Sequence, residues 1–195
     1  MWGIALSFVG SPFKSSDRAE MRLLDSILRT PNRRIGLIAL FIVGLDQLTK
    51  LMVLRLLGYA QEKIVIEGLF KFVHWGNTGA AWSLFRGNNN ALAIVALVAL
   101  VVLFFSRHHF DSRTWLGQLA FGLIFGGIVG NLIDRLCRGH VIDFLYFYLQ
   151  RSGSELGFPA FNVADSAICT GVGLVFLLTW KNEREPKPVE SPAGE

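Results

Sequence analysis

The sequence predicts an all-α integral membrane protein with four transmembrane helices and a small β-element in the first extracytoplasmic loop. Three observations carry that prediction. The apolar residues come in long blocks, and the chain is 52% hydrophobic and 17% charged with a mean hydropathy of +0.44, whereas a soluble domain is about one quarter charged. The basic residues gather at the flanks of those blocks, as they do beside membrane spans. Between the first two blocks lies a stretch rich in Ile, Val and Phe around a Glu67-Gly68 turn signal. At 195 residues the chain has room for one domain.

Residues 1–32 read as a cytoplasmic N-terminal extension. Its apolar run, Trp2 to Val9, is followed by basic residues rather than preceded by them, the reverse of a secretory signal. Met21 reads as a candidate for the true start, to be settled by the intact mass of the native protein. The membrane domain covers 33–181, with spans at about 35–57, 88–106, 115–136 and 162–180, each near the roughly 17–25 residues that a bilayer core requires. The first span is the weakest by hydropathy, because Asp46, Gln47, Thr49 and Lys50 interrupt it. The second is an unbroken run, Ala91 to Phe105, led by Asn88, Asn89 and Asn90. In the third, Gly122, Gly126 and Gly130 share one helix face and predict a packing seam. After the fourth, residues 182–195 form a Pro- and Glu-rich tail expected to be disordered.

Arg29, Arg33 and Arg34 precede the first span, Arg107 and Arg113 join the second to the third, and Lys181, Arg184 and Lys187 follow the fourth. One orientation puts all three groups on the cytoplasmic side: both termini inside, residues 58–89 and 137–161 outside. In the first outer loop, Lys63 to Ile66 and Leu69 to Trp75 predict two strands at the outer membrane surface.

Ionisable groups in membrane helices are costly and point to function or to a partner. Asp46 and Lys50 stand one helical turn apart and read as a mutually neutralising pair. Asn131, Asp134 and Arg135 end the third helix, where Asp134 and Arg135 read either as an interfacial ion pair or as part of a site. Asn77 and Gly79 read as a turn. Asp143 is flanked by large apolar residues. Asp165 opens the fourth helix, where Asn162 as N-cap makes capping a sufficient role. Under the orientation above all of these fall at the outer side. His140 reads as an interfacial imidazole.

Other classes are poorly supported. The net charge of +4 is not gathered into a stripe, so nucleic acid is not an expected partner. Cys137 and Cys169 read as free thiols, and no metal-ligand spacing, P-loop or dinucleotide fingerprint is present.

Five segments in order, Asp46-Gln47-Leu48-Thr49-Lys50, Asn77-Thr78-Gly79-Ala80-Ala81, Gly127 to Arg135, Gly139 to Phe144 and Phe161 to Asp165, resemble the bacterial prolipoprotein signal peptidases, signal peptidase II. The resemblance covers roughly residues 36–180. It implies an intramembrane aspartyl endopeptidase of the bacterial inner membrane, working at the extracytoplasmic face without metal or cofactor. Such an enzyme cuts lipoprotein precursors just before a lipid-modified cysteine. Its partners would be lipidated prolipoproteins and membrane lipids, and the chain would act as a monomer. Asp143 and Asp165 match the catalytic dyad. Asn77, Gly79, Asn131, Asp134, Arg135 and Asn162 match residues that bind substrate or shape the site, and Asp46 and Lys50 match a structural pair. Trp82 stands where phenylalanine is more usual, and the Asp143-to-Asp165 connection is a few residues long.

Two other classes share part of the pattern. Asp134, Arg135, Gly139 and Asp143 resemble part of the metal-binding motif of membrane CDP-alcohol phosphotransferases, but Phe147 stands where that motif needs a further acid. A small transporter or scaffold would lead one to expect an internal repeat, and none is visible.

Overall fold

The computed structural model describes residues 30–79, 87–107, 114–151 and 153–184. The N-terminal extension up to residue 29, Trp82, Arg113 and the tail with Lys187 lie outside them. Among the described residues four helices are long and apolar enough to cross a membrane: α1 (Pro31–Leu56), α2 (Asn89–Ser106), α3 (Trp115–Arg138) and α4 (Val163–Arg184). Pro31 occupies the first turn of α1, where its missing N–H costs no hydrogen bond. The Thr114 hydroxyl accepts from the Gly117 N–H to start α3, and Gly139, at φ 75°, ends it in the left-handed region.

Helices α3 and α1, and α3 and α4, form the main contacts of the bundle, with α2 lying against α3. Among the described residues α2 buries Ala93 alone. Lipid offers no hydrophobic drive to helix association, so close packing of small residues carries it. The expected glycine seam does this. A Cβ on Gly126 would lie 2.7 Å from the Ala39 carbonyl and from Ile42 Cβ, and one on Gly122 2.5 Å from Ile38 Cβ. Gly127, on the adjoining face, lets α4 approach as closely: a Cβ there would collide with the Ala164 carbonyl oxygen and lie 2.7 Å from Ile168 Cγ1. We expect Gly127→Val to push the first turn of α4 outward and to lower the melting temperature in detergent, because overpacking a tight contact costs about 1–3 kcal/mol. An unchanged melting temperature would contradict this.

Segments between α1 and α2 and between α3 and α4 fold into one sheet of order β1-β2-β3-β4, all antiparallel. Strands β1 (Glu62–Ile66) and β2 (Phe70–Asn77) form the hairpin that the first loop predicts. The second loop adds β3 (Val141–Arg151) and β4 (Ser154–Gly157), so the β-element is larger than the sequence reading made it. Lys71 ties the strands together, bonding Glu62 at 2.7 Å and Glu155 at 2.9 Å with its ammonium over the Tyr146 and Tyr148 rings. The sheet is anchored where Ile142 and Phe144 pack on Val53 of α1, with Leu57, Phe72, Leu145 and Val163 around them.

Candidate active site

An alternating four-helix path puts the C-terminal ends of α1 and α3 beside the N-terminal ends of α2 and α4. The sheet covers that end, and nearly every polar residue singled out from the sequence meets there. Strand β2 sets Trp75 opposite Asp143 and Asn77 opposite Val141, so the end of β2 runs beside the acid.

Asn77 is the hinge of this edge. Its side-chain oxygen accepts from the Gly79 N–H at 2.8 Å, which fixes the amide the other way round, and its Nδ2 donates to Asp143 Oδ2 at 2.9 Å. The turn reading and the site reading of Asn77 are thus compatible. Asp143 is 4% exposed, and its other oxygen accepts from Asn162 Nδ2 at 2.9 Å. Burial pushes the Asp143 carboxyl up to about 7, and the neighbouring Asp165 adds to the shift, against hydrogen bonds from Asn77 and Asn162 and the charge of Lys50.

Asp165 is held by a capping box. Its N–H donates to Asn162 Oδ1 at 2.9 Å, and the Asn162 N–H donates back to Asp165 Oδ2 at 3.2 Å. Asn131 Nδ2 donates to Asp165 Oδ1 at 2.7 Å. Asn162 therefore grips both acids at once, Asp143 through its side chain and Asp165 through its backbone. Two carboxyls far apart in sequence share one residue.

Behind them lies a fully buried ionic group. Lys50 Nζ sits 2.8 Å from Asp46 Oδ2 and 2.8 Å from Asp134 Oδ2, and donates to Asn131 Oδ1 at 3.0 Å. Asp46 also receives the Ala164 N–H at 3.0 Å, tying α1 to the first turn of α4. The pair read from the sequence is thus part of a triad. Of the two readings open for Asp134 and Arg135, the structure does not form the ion pair between them. Asp134 pairs with Lys50 and Arg138, and takes hydrogen bonds from Gln47 Nε2 and the Ile142 N–H. Adjacent helical residues point about 100° apart, whereas Arg138 is one turn on, over the same face. With its oxygens committed in this way Asp134 suits a structural role better than metal ligation.

Arg135 turns to the other side, donating to the Gly79 carbonyl at 2.9 Å and to Asn89 Oδ1 at 3.2 Å, while Asn89 Nδ2 returns a bond to the Arg135 carbonyl at 3.0 Å. His140 lies against Gly76, where an added Cβ would come within 2.8 Å of its ring. The sequence reading missed Gln47, Asn89 and Arg138 as members of the network. For Arg138 the four-residue spacing from Asp134 was an available signal, but for Asn89 only tertiary contact reveals the partner.

Residues 38–181 match the family model described as "Signal peptidase (SPase) II". The chain belongs to the signal peptidase II family. A protein of Azoarcus sp. (strain BH72) named "Lipoprotein signal peptidase" is 43% identical over 145 residues, covering 71% of this chain and 77% of the relative. One of the same name from Symbiobacterium thermophilum is 40% identical over 141 residues, covering 72% and 90%. A solved structure described as "Bacterial membrane enzyme structure by the in meso method at 2.3 A resolution" superposes with a TM-score of 0.69 at 31% identity, covering 80% of this chain and 93% of that one. Family membership makes this a signal peptidase of the bacterial membrane. The four helices with a small antiparallel sheet are the architecture it shares with that structure.

Proposed function

We propose that the protein removes signal peptides from lipoprotein precursors, cutting immediately before the diacylglyceryl-modified cysteine with Asp143, Asp165 and one water molecule. The observation that carries this reading is the joint grip of Asn162 on both carboxyls. Two acids sharing a site cannot both ionise cheaply, so together they retain one proton. The ionised member takes a proton from the water as its oxygen bonds to the scissile carbonyl carbon, and the protonated member gives its proton to the carbonyl oxygen. When the C–N bond breaks, the cysteine nitrogen takes the proton that the base removed from water. A hydroxyl of the tetrahedral species returns its proton to the other carboxylate, and the signal peptide leaves with a new carboxyl end. The reaction needs no metal or cofactor.

The basic flanks favour both termini in the cytoplasm and the site at the outer face. There the diacylglyceryl group stays in the outer leaflet while the peptide reaches the polar end of the bundle. The test is incubation of the purified protein with lipidated and unlipidated forms of one precursor, followed by mass spectrometry. A single cut before the modified cysteine, seen with the lipidated form alone, is the expected result. Equal cleavage of both forms, or cleavage elsewhere, overturns the proposed specificity.

A further inference from the structure

The amide network around the two acids has a direction, and that direction is set from behind. An ammonium has three donors and no acceptor. Those of Lys50 are all used, on Asp46, Asp134 and Asn131. Asn131 must therefore present its oxygen to Lys50, since a flipped amide would set two donors against each other. The same oxygen receives Asn162 Nδ2 at 3.2 Å. With its oxygen so held, Asn131 has only its NH2 left for Asp165, and that bond is the shortest made by either acid, at 2.7 Å.

The two acids are not held equally. Asp165 takes one bond from Asn131 and one from the backbone N–H of Asn162, and it stands in the first turn of α4, where the helix dipole favours an anion. Asp143 takes one bond from Asn77, but its second comes from Asn162 Nδ2, whose two hydrogens also serve Asn131 Oδ1 at 3.2 Å and the Ile142 carbonyl at 3.3 Å. The shared proton is better placed on Asp143.

We infer that Lys50 is a positioning residue for the reaction: acting through Asn131, it orients the amide network so that Asp165 serves as the base and Asp143 as the proton-bearing acid. This rests on the dyad reading above and adds the division of roles within it. Among the described residues the ionisable groups around Asp165 are Asp143 from β3, Asp134 and Arg135 from α3, and Asp46 and Lys50 from α1. Of these Lys50 is the one cation joined to Asp165 through a single amide. Removing it favours the protonated base, so the acid limb of the rate profile must move to higher pH.

The test is the pH profile of kcat/KM on a lipidated precursor for Lys50→Gln/Asp46→Asn, which removes the cation together with one of its two anions. Asp46→Asn alone is the control, because it disturbs the same network and keeps the cation. The double variant is expected to shift the acid limb upward by about one pH unit and to lower kcat roughly ten- to hundredfold, with KM changed little. The control, which removes a negative charge and keeps the cation, is expected to show no upward shift of the limb. A double variant with the wild-type limb, losing only thermal stability, overturns the inference and shows Lys50 to be structural. So does a control that shifts as far as the double variant. If the double variant does not accumulate, Asn131→Leu cuts the link while leaving the triad whole, and an unmoved acid limb in that variant overturns the inference equally. None of these outcomes bears on the dyad itself, which fails separately if Asp143→Asn and Asp165→Asn retain activity.

Discussion

Asp143→Asn and Asp165→Asn are each expected to lower kcat on a lipidated precursor by roughly 10³–10⁴-fold, the scale of a general acid or base removed from its site. Neither change removes packing volume, and each carboxyl loses one acceptor while keeping its shape. Folding should survive. Burial and the nearby Asp165 push the Asp143 carboxyl from its ordinary 3.8 to about 7, so the folded protein holds a proton that the unfolded chain has already released between those values. Stability is therefore highest below the ordinary value and falls as pH rises through about 7. Asp143→Asn abolishes that slope. Between about pH 5 and pH 8 the melting temperature of wild type should drop further than that of the variant. Variants that turn over precursor within tenfold of wild type, or parallel melting curves, would contradict the account of Asp143.

Lys50→Met carries the largest expected effect on stability. Lys50, Asp46 and Asp134 are all fully buried, and removing one partner from such a group leaves an uncompensated charge at a cost of about 3–5 kcal/mol. Asp134 keeps Arg138, Gln47 and the Ile142 N–H. Asp46 keeps the Ala164 N–H and Gln47 but no cation, so the junction between α1 and the first turn of α4 should loosen first. The expected reading is a fall in melting temperature on the order of 10 °C in detergent, with reduced accumulation in the membrane. An unchanged melting temperature would mean that the triad contributes little to holding the helices together.

Much of this was legible before the structure, for a physical reason. Lipid requires long apolar runs, so the spans stand out even where Asp46 and Lys50 interrupt one of them. The Gly122, Gly126 and Gly130 spacing announced close packing because a helix repeats its face every three to four residues. The β1–β2 hairpin showed itself through Ile, Val and Phe around Glu67-Gly68. The second half of the sheet carried an equal signal, with Ile142, Phe144, Tyr146 and Tyr148 on alternate positions and Gly153 at φ 81° in its turn. The capping box of Asn162 and Asp165 is local, and its three-residue spacing is visible in the sequence. What no local pattern could supply was the way Lys50, Asn131 and Asn162 meet. Those three residues come from α1, α3 and the start of α4, and their contact exists only once glycines have brought the three helices together.

The most direct measurement is a structure of the protein with a lipidated precursor peptide whose scissile amide is replaced by a hydroxyl-bearing carbon, a mimic of the tetrahedral species formed when water attacks. The account predicts that hydroxyl between the two acids, within about 3 Å of a carboxyl oxygen of both Asp143 and Asp165, with the acyl chains directed into the lipid. A hydroxyl bound well and touching neither acid, or only one, would contradict it.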